Sequence, residues 1–105
     1  MKFIATSLLA AGLMAGSSAM AANMPDIAKR NSCDACHTIN KKLVGPAWVD
    51  ISRKYKGDAA AKAMLANKII KGSSGVWGAM PMPPNQKLSE TEAAMLADFI
   101  LGLTK

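Results

Sequence analysis

The stretch Cys33-Asp34-Ala35-Cys36-His37 places two thiols and an imidazole within five consecutive residues. C-x-x-C-H is the attachment sequence of c-type haem, in which both thiols bond the porphyrin covalently and the adjacent imidazole ligates the iron. We therefore predict covalent attachment of one haem c at Cys33 and Cys36. We also predict that His37 is an axial ligand of the iron.

Two thiols at this spacing are also found in zinc sites, in redox dithiols and in small disulfide loops. Zinc normally takes four protein ligands, and the chain has two cysteines and one histidine in all. A thioredoxin-like dithiol needs a βαβ scaffold, for which the sequence has no strand pattern. A Cys33–Cys36 disulfide in an exported protein stays open as an alternative, with His37 as a bystander.

The N-terminus has the order of a secretory signal: a positive charge, an apolar stretch and then small residues. Lys2 provides the charge, and Ala21 completes an A-x-A cleavage site. We predict a cleaved signal peptide over residues 1–21, with cleavage after Ala22 as the alternative. The mature domain would cover residues 22–105 and reside in the periplasm.

The apolar stretch of the predicted signal also has to be compared with a membrane anchor. An anchor needs about 20 mostly apolar residues, and here Gly12, Gly16 and two serines interrupt the stretch. We therefore expect no stable membrane insertion of the mature protein.

The predicted mature domain is small and moderately basic. Thirteen lysines and arginines, minus Lys2, leave twelve basic against seven acidic side chains, a formal balance of +5. Burial of apolar side chains alone leaves a domain of about 84 residues only marginally stable. We therefore expect a covalent cross-link or a bound cofactor to stabilise it. The charge favours acidic protein partners, whereas no dense basic block with interleaved aromatics indicates nucleic-acid binding. We expect a monomer, although no sequence pattern decides between a monomer and a dimer.

Apolar residues at helical spacing, bounded by capping signals, predict four short helices and no strand. The predicted helices start at Asp26, Trp48, Ala59 and Ser89. Asp58 is expected to cap the third helix, and Ser89 with Glu92 matches the capping box of the fourth. The fourth helix should bury a stripe formed by Met95, Leu96, Phe99, Ile100 and Leu103. The predicted fold class is all-α.

Residues 72–85 contain three glycines and three prolines and predict an irregular loop. Met82 lies between prolines, which restrict the backbone and can hold its thioether toward iron as a second axial ligand. Met80 is a second thioether two positions earlier. The alternative is that either methionine merely fills a gap in the core.

Taken together, these features resemble the small bacterial class I cytochromes c of the c-551/c-552 group. The resemblance covers nearly the whole predicted mature chain. Besides the C-x-x-C-H motif and the capped last helix, it rests on residues 44–47, 72–78 and 81–85. It implies the small class I cytochrome c fold, with four or so short helices wrapped around one covalently attached haem. It also implies Met82 rather than Met80 as the ligand, because Met82 lies in the Pro-Met-Pro-Pro-Asn setting.

The resemblance further implies a set of groups around the two ligands. Pro46 would accept a hydrogen bond from the His37 ring and orient it. Asn85 would hydrogen-bond near the sulfur of Met82. Trp77 would donate its indole N–H toward a haem propionate, with simple packing as the alternative.

Axial ligands on both faces leave the iron no position for substrate, so the implied function is one-electron transfer rather than catalysis. The expected donor is a quinol-oxidising complex or another cytochrome, and the expected acceptor is a nitrite reductase or a terminal oxidase. Lys29, Lys41, Lys42 and Lys71 are candidates to guide such partners. The rival is a haem enzyme or gas sensor in which the Met82 loop swings away, but the sequence offers no second histidine to act there.

Overall fold

The computed structural model describes residues 23–105, so the predicted signal peptide lies outside the described residues. The described chain contains four α-helices and one 3-10 helix. The α-helices are α1 (Asp26–Arg30), α2 (Trp48–Lys54), α3 (Ala61–Lys71) and α4 (Glu90–Gly102), and the 3-10 helix is Cys33–Ala35. Within residues 23–105 no strand forms, and two isolated bridges pair His37 with Lys42 and Ser73 with Met82. The all-α prediction is confirmed.

None of the helices in the described part of the chain is both long enough and apolar enough to cross a membrane.

α3 begins later than the sequence predicts. The carboxylate of Asp58 accepts a hydrogen bond from the N–H of Ala60, at 2.9 Å. An N-cap side chain can also bond the amide two residues on, but here Ala59 and Ala60 form a turn before the α-helix begins. The predicted start at Ala59 is therefore wrong, because α3 begins at Ala61 and Ala60 is the residue that precedes it, although the Asp58 carboxylate does bond the backbone just ahead of the helix.

The core lies where α4 packs between α2 and α3. The buried residues of α4 recur at helical spacing and form one stripe: Ala93, Leu96, Ala97 and Ile100. Leu96 and Ile100 are therefore buried as predicted. The prediction is wrong for Met95, whose side chain is 58% exposed because it lies off this stripe.

The capping box of α4 forms as predicted. The Ser89 hydroxyl accepts from the N–H of Glu92 at 3.1 Å, and the Glu92 carboxylate accepts from the N–H of Ser89 at 3.0 Å. This hydrogen bond to the backbone of Ser89 lowers the pKa of Glu92. A carboxyl whose pKa is lowered by folding stabilises the fold above its unfolded pKa, and this contribution is lost as the pH falls through the folded pKa.

We expect Ser89→Ala to lower the free energy of unfolding by about 1 kcal/mol, because one N-terminal amide of α4 loses its acceptor. Chemical denaturation at neutral pH measures the change. Thr91→Ala is the matched control, since Thr91 is an exposed residue in the same first turn. Equal stability of the two variants would show that the capping box does not stabilise α4.

Candidate functional site

An apolar cleft opens beside the core. Its walls are side chains of α2, α3 and α4, namely Trp48, Ile51, Leu65, Ile69, Leu96 and Ile100. The structure brings all seven site residues predicted from the sequence to this one cleft: Cys33, Cys36, His37, Pro46, Trp77, Met82 and Asn85. Residues separated by half of the chain therefore surround a single apolar space.

His37 is buried and is fixed by a backbone contact. Its Nδ1 atom lies 2.8 Å from the carbonyl oxygen of Pro46, and its side chain is 8% exposed. A carbonyl oxygen only accepts, so Nδ1 must carry the proton and the lone pair must be on Nε2. The ring is held in the tautomer that binds a metal through Nε2.

Gly45 gives the His37 ring its space. A Cβ atom at this position would lie 2.6 Å from the Cε1 atom of His37. The chain cannot easily retreat, because the N–H of Gly45 donates to the carbonyl of Cys36 at 2.7 Å. The sequence shows a Gly-Pro pair here, but nothing in it reveals that the glycine packs against the imidazole.

Gly45→Ala is expected to push the imidazole out of place and to destabilise the folded protein by about 1–3 kcal/mol, the usual cost of overpacking. Thermal unfolding and the ferric absorption spectrum together measure the effect. Gly102→Ala is the control, since a Cβ at Gly102 meets no atom within 4 Å. An unchanged spectrum and melting temperature in Gly45→Ala would contradict the packing argument.

Cys33 and Cys36 are not joined by a disulfide, and both are half-buried. The short 3-10 helix joins them, and the N–H of His37 donates to the carbonyl of Cys33 at 2.9 Å. Burial raises the pKa of the Cys33 thiol above its ordinary value. Among the described residues, no group of three or more His, Cys, Asp and Glu side chains is arranged to hold a metal ion, as a zinc site would need.

Met82 has its backbone paired with the start of its own loop. Its N–H donates to the carbonyl of Ser73 at 2.8 Å, and its carbonyl accepts from the N–H of Ser73 at 3.1 Å. The Met82 side chain is half-buried, whereas Met80, which also lines the cleft, is 67% exposed. The part played by Ser73 was missed from the sequence, because a backbone pair leaves no signal in residue type.

Trp77 lies at the edge of the cleft and is 40% exposed. Its ring lies close to the ammonium group of Lys54, a residue that no sequence motif indicates. The Nζ atom of Lys54 is 5.7 Å from the centre of the Trp77 ring and 5.8 Å from that of Tyr55. Contacts of this kind contribute about 0.5–1 kcal/mol at exposed sites. Lys54 therefore links the end of α2 to the loop over residues 72–85.

Asn85 lies at the C-terminal end of the loop over residues 72–85, whereas Ser73 lies near its start. Its N–H donates to the carbonyl of Ile69 at 3.1 Å, and its side-chain amide donates to the carbonyl of Asn31 at 3.3 Å. The contact that the structure shows for this amide is thus Asn31. A hydrogen bond from Asn85 near the Met82 sulfur stays a prediction.

The donor set of the cleft fits haem c. Two cysteine side chains that form no disulfide lie beside an imidazole whose Nε2 is left as the metal-binding nitrogen, and a thioether lines the same space. Most of the remaining lining is apolar, as a porphyrin requires. Thiol, imidazole and thioether groups are those that bind haem c and its iron.

Comparisons with known proteins agree with this fit. The cytochrome c family model matches residues 19–104. The chain is 48% identical over 101 residues to cytochrome c-552 of Nitrosomonas europaea, covering 96% of this chain and 91% of that protein. It is 46% identical over 96 residues to cytochrome c-551 of Pseudomonas aeruginosa, covering 91% of each.

The fold agrees as well. The crystal structure of wild-type Nitrosomonas europaea cytochrome c552 superposes with a TM-score of 0.73 at 54% identity, covering 74% of this chain and 96% of that one. The chain therefore belongs to the cytochrome c family: it is a small electron carrier of the c-551/c-552 type, not an enzyme, with covalent haem c at the motif of Cys33, Cys36 and His37.

Proposed function

We propose that this carrier binds its haem iron between His37 and Met82 and works in the periplasm. The observation that supports this most strongly is the shared cleft: a buried imidazole with Nε2 available and a half-buried thioether line the same apolar space as two thiols. Cleavage of residues 1–21, or after Ala22, would release the domain there.

Each residue has a defined task in this proposal. The bound haem supplies an iron that cycles between the ferrous and ferric states. Cys33 and Cys36 tether it, and the Pro46 carbonyl keeps the His37 ring oriented. Met82 would hold the iron as its second protein ligand, which would leave no position for a substrate. Thioether ligation and burial raise the reduction potential, which suits a carrier that delivers electrons to a terminal acceptor.

Trp77 and Asn85 are proposed to complete the environment of the cofactor. The indole N–H of Trp77 would donate to a haem propionate, with Lys54 near the same ring. Asn85 would help to fix the Met82 loop through its bonds to α3 and to Asn31. Both side chains line the cleft, which supports these tasks.

An apolar rim with neighbouring lysines supports docking of a redox protein. Val44 and Met80 line the cleft and are 47% and 67% exposed, and the adjacent Leu43 is 52% exposed. Lys41 and Lys42 precede this rim in the chain and are exposed. Charge speeds encounter and a small apolar contact permits rapid release, as a carrier requires.

We propose a quinol-oxidising complex or another cytochrome as the donor, and a nitrite reductase or terminal oxidase as the acceptor. We propose no nucleic-acid partner and a monomeric carrier. Stopped-flow oxidation of the reduced protein by purified candidate acceptors tests this directly. Fast reoxidation by one acceptor class supports the proposal, whereas failure with both classes rejects it.

The localisation is tested separately, by the mass of the protein recovered from the periplasm. We expect the mass of residues 22–105, or 23–105, plus one haem that resists acid-acetone extraction. A full-length chain held in the membrane fraction would contradict both the signal peptide and the periplasmic location.

Reversing the charge of Lys41 and Lys42 together to glutamate is expected to slow association with an acidic acceptor about tenfold or more at low salt, because electrostatic steering governs encounter. The rate should converge on the wild-type rate as salt rises. Lys56→Glu with Lys105→Glu, a double reversal of two exposed lysines that do not line the cleft, is the control. Equal slowing by the control would show that total charge, rather than this surface, guides the partner.

A further inference from the structure

The Met82 loop returns to the end of α3 and is fastened there twice. Ser73 and Met82 exchange two backbone hydrogen bonds of 3.1 and 2.8 Å, and the N–H of Asn85 donates to the carbonyl of Ile69 at 3.1 Å. Together, these bonds hold the backbone at Met82 itself and at Asn85, three residues later. The position of the methionine is therefore fixed by main-chain contacts within the protein itself.

Gly72 makes this return possible. Its φ of 80° and ψ of 174° lie in a region that is essentially restricted to glycine. A Cβ at Gly72 would lie 2.6 Å from the carbonyl oxygen of Met82 and 3.0 Å from the nitrogen of Pro84. Both are backbone atoms, and the neighbouring prolines limit how far that backbone can move.

We propose that Gly72 is a positioning residue for Met82. Gly72 and the backbone pair of Ser73 with Met82, which we call the clasp, place the thioether independently of the iron and set how readily it leaves. The inference rests on the proposed His37 and Met82 ligation and assigns a further residue to that site.

Displacement of Met82 from the iron requires its sulfur atom to move. While the clasp is closed, the sulfur can leave only by rotation of its own side chain in a confined cleft. A side chain at residue 72 forces the Met82 carbonyl away and separates the two backbone segments of the clasp. The backbone of Met82 is then no longer held in place, and an external ligand competes with its thioether for the iron more successfully.

The test is a titration of the ferric holo-protein with imidazole at neutral pH. Gly72→Ala is expected to bind imidazole at least about tenfold more tightly than wild type, a change in affinity that a titration measures readily. The variant should also lose intensity in the sulfur-to-iron charge-transfer band. Ferrous spectra of the same variants check that each has its haem attached.

Two glycines provide matched controls for backbone strain. Gly57 has the same φ of 80°, and Gly78, within the same loop, has a φ of 119°. A Cβ at either position meets no atom within 4 Å. Gly57→Ala and Gly78→Ala should therefore bind imidazole with nearly the wild-type affinity. If Gly78→Ala tightens binding as much as Gly72→Ala, general loop strain is responsible and the clasp is rejected.

Amide hydrogen exchange of the wild-type ferrous protein keeps the proposal testable if Gly72→Ala yields no holo-protein. The amides of Ser73 and Met82 should both be protected, and exchange of both at unprotected rates overturns the clasp. Met82→Ala, measured in parallel, separates the two proposals. If Met82→Ala keeps the charge-transfer band, the ligand assignment fails; if it loses the band while Gly72→Ala resembles Gly78→Ala, only the clasp fails.

Discussion

Replacing Met82 with alanine is expected to abolish the sulfur-to-iron charge-transfer band of the ferric protein and to lower its reduction potential. The thioether favours the less charged ferrous iron, and alanine supplies no donor in its place. Axial ligands set haem potentials over about 0.8 V, so a decrease on the order of 100 mV is reasonable for the loss of one of them. Absorption spectroscopy during a potentiometric titration measures both changes.

Met80→Ala is the matched control for this experiment. It removes another methionine side chain, two positions earlier in the chain. Met80 also lines the cleft but is 67% exposed. Both the band and the potential should stay close to wild type. The reverse outcome, with Met80→Ala losing the band and Met82→Ala keeping it, would move the ligand to Met80.

His37→Ala is expected to prevent the accumulation of stable holo-protein. The substitution removes the proposed axial nitrogen and leaves the Pro46 carbonyl without its donor. It also opens a cavity beside Trp48, whose ring centre lies 6.1 Å from that of His37. The measurement is haem per chain and protease resistance in the periplasmic fraction.

Asp34→Ala provides the control for His37→Ala within the same pentapeptide. Asp34 is exposed and occupies a variable position of C-x-x-C-H, so this variant should keep its haem. Recovery of normal haem content and reversible redox cycling from His37→Ala would refute the proximal assignment.

Much of the fold could be predicted because its signals are local. Ser89 and Glu92 cap α4 through side chains three residues apart, a spacing that can be read directly from the sequence. The two errors have physical causes that depend on context. Asp58 bonds the amide of Ala60, but a turn over Ala59 and Ala60 places the start of α3 at Ala61. Met95 lies beside the buried stripe rather than on it.

The candidate site shows the same division. Chemically distinctive residues such as His37 and Met82 can be recognised from residue type and spacing. All seven site residues predicted from the sequence line the cleft. The residues that were missed act through position alone. Gly45 matters because it has no side chain beside the imidazole, and Ser73 matters through its backbone. Such contacts depend on how a loop folds back on itself, which residue type alone does not reveal.

A redox titration of the holo-protein at neutral pH, monitored by absorption, tests the central claim most directly. A one-electron carrier with His37 and Met82 ligation should show a single reversible one-electron transition, with the sulfur-to-iron charge-transfer band present throughout the ferric state. High-spin ferric iron that lacks this band and binds peroxide readily would contradict the account.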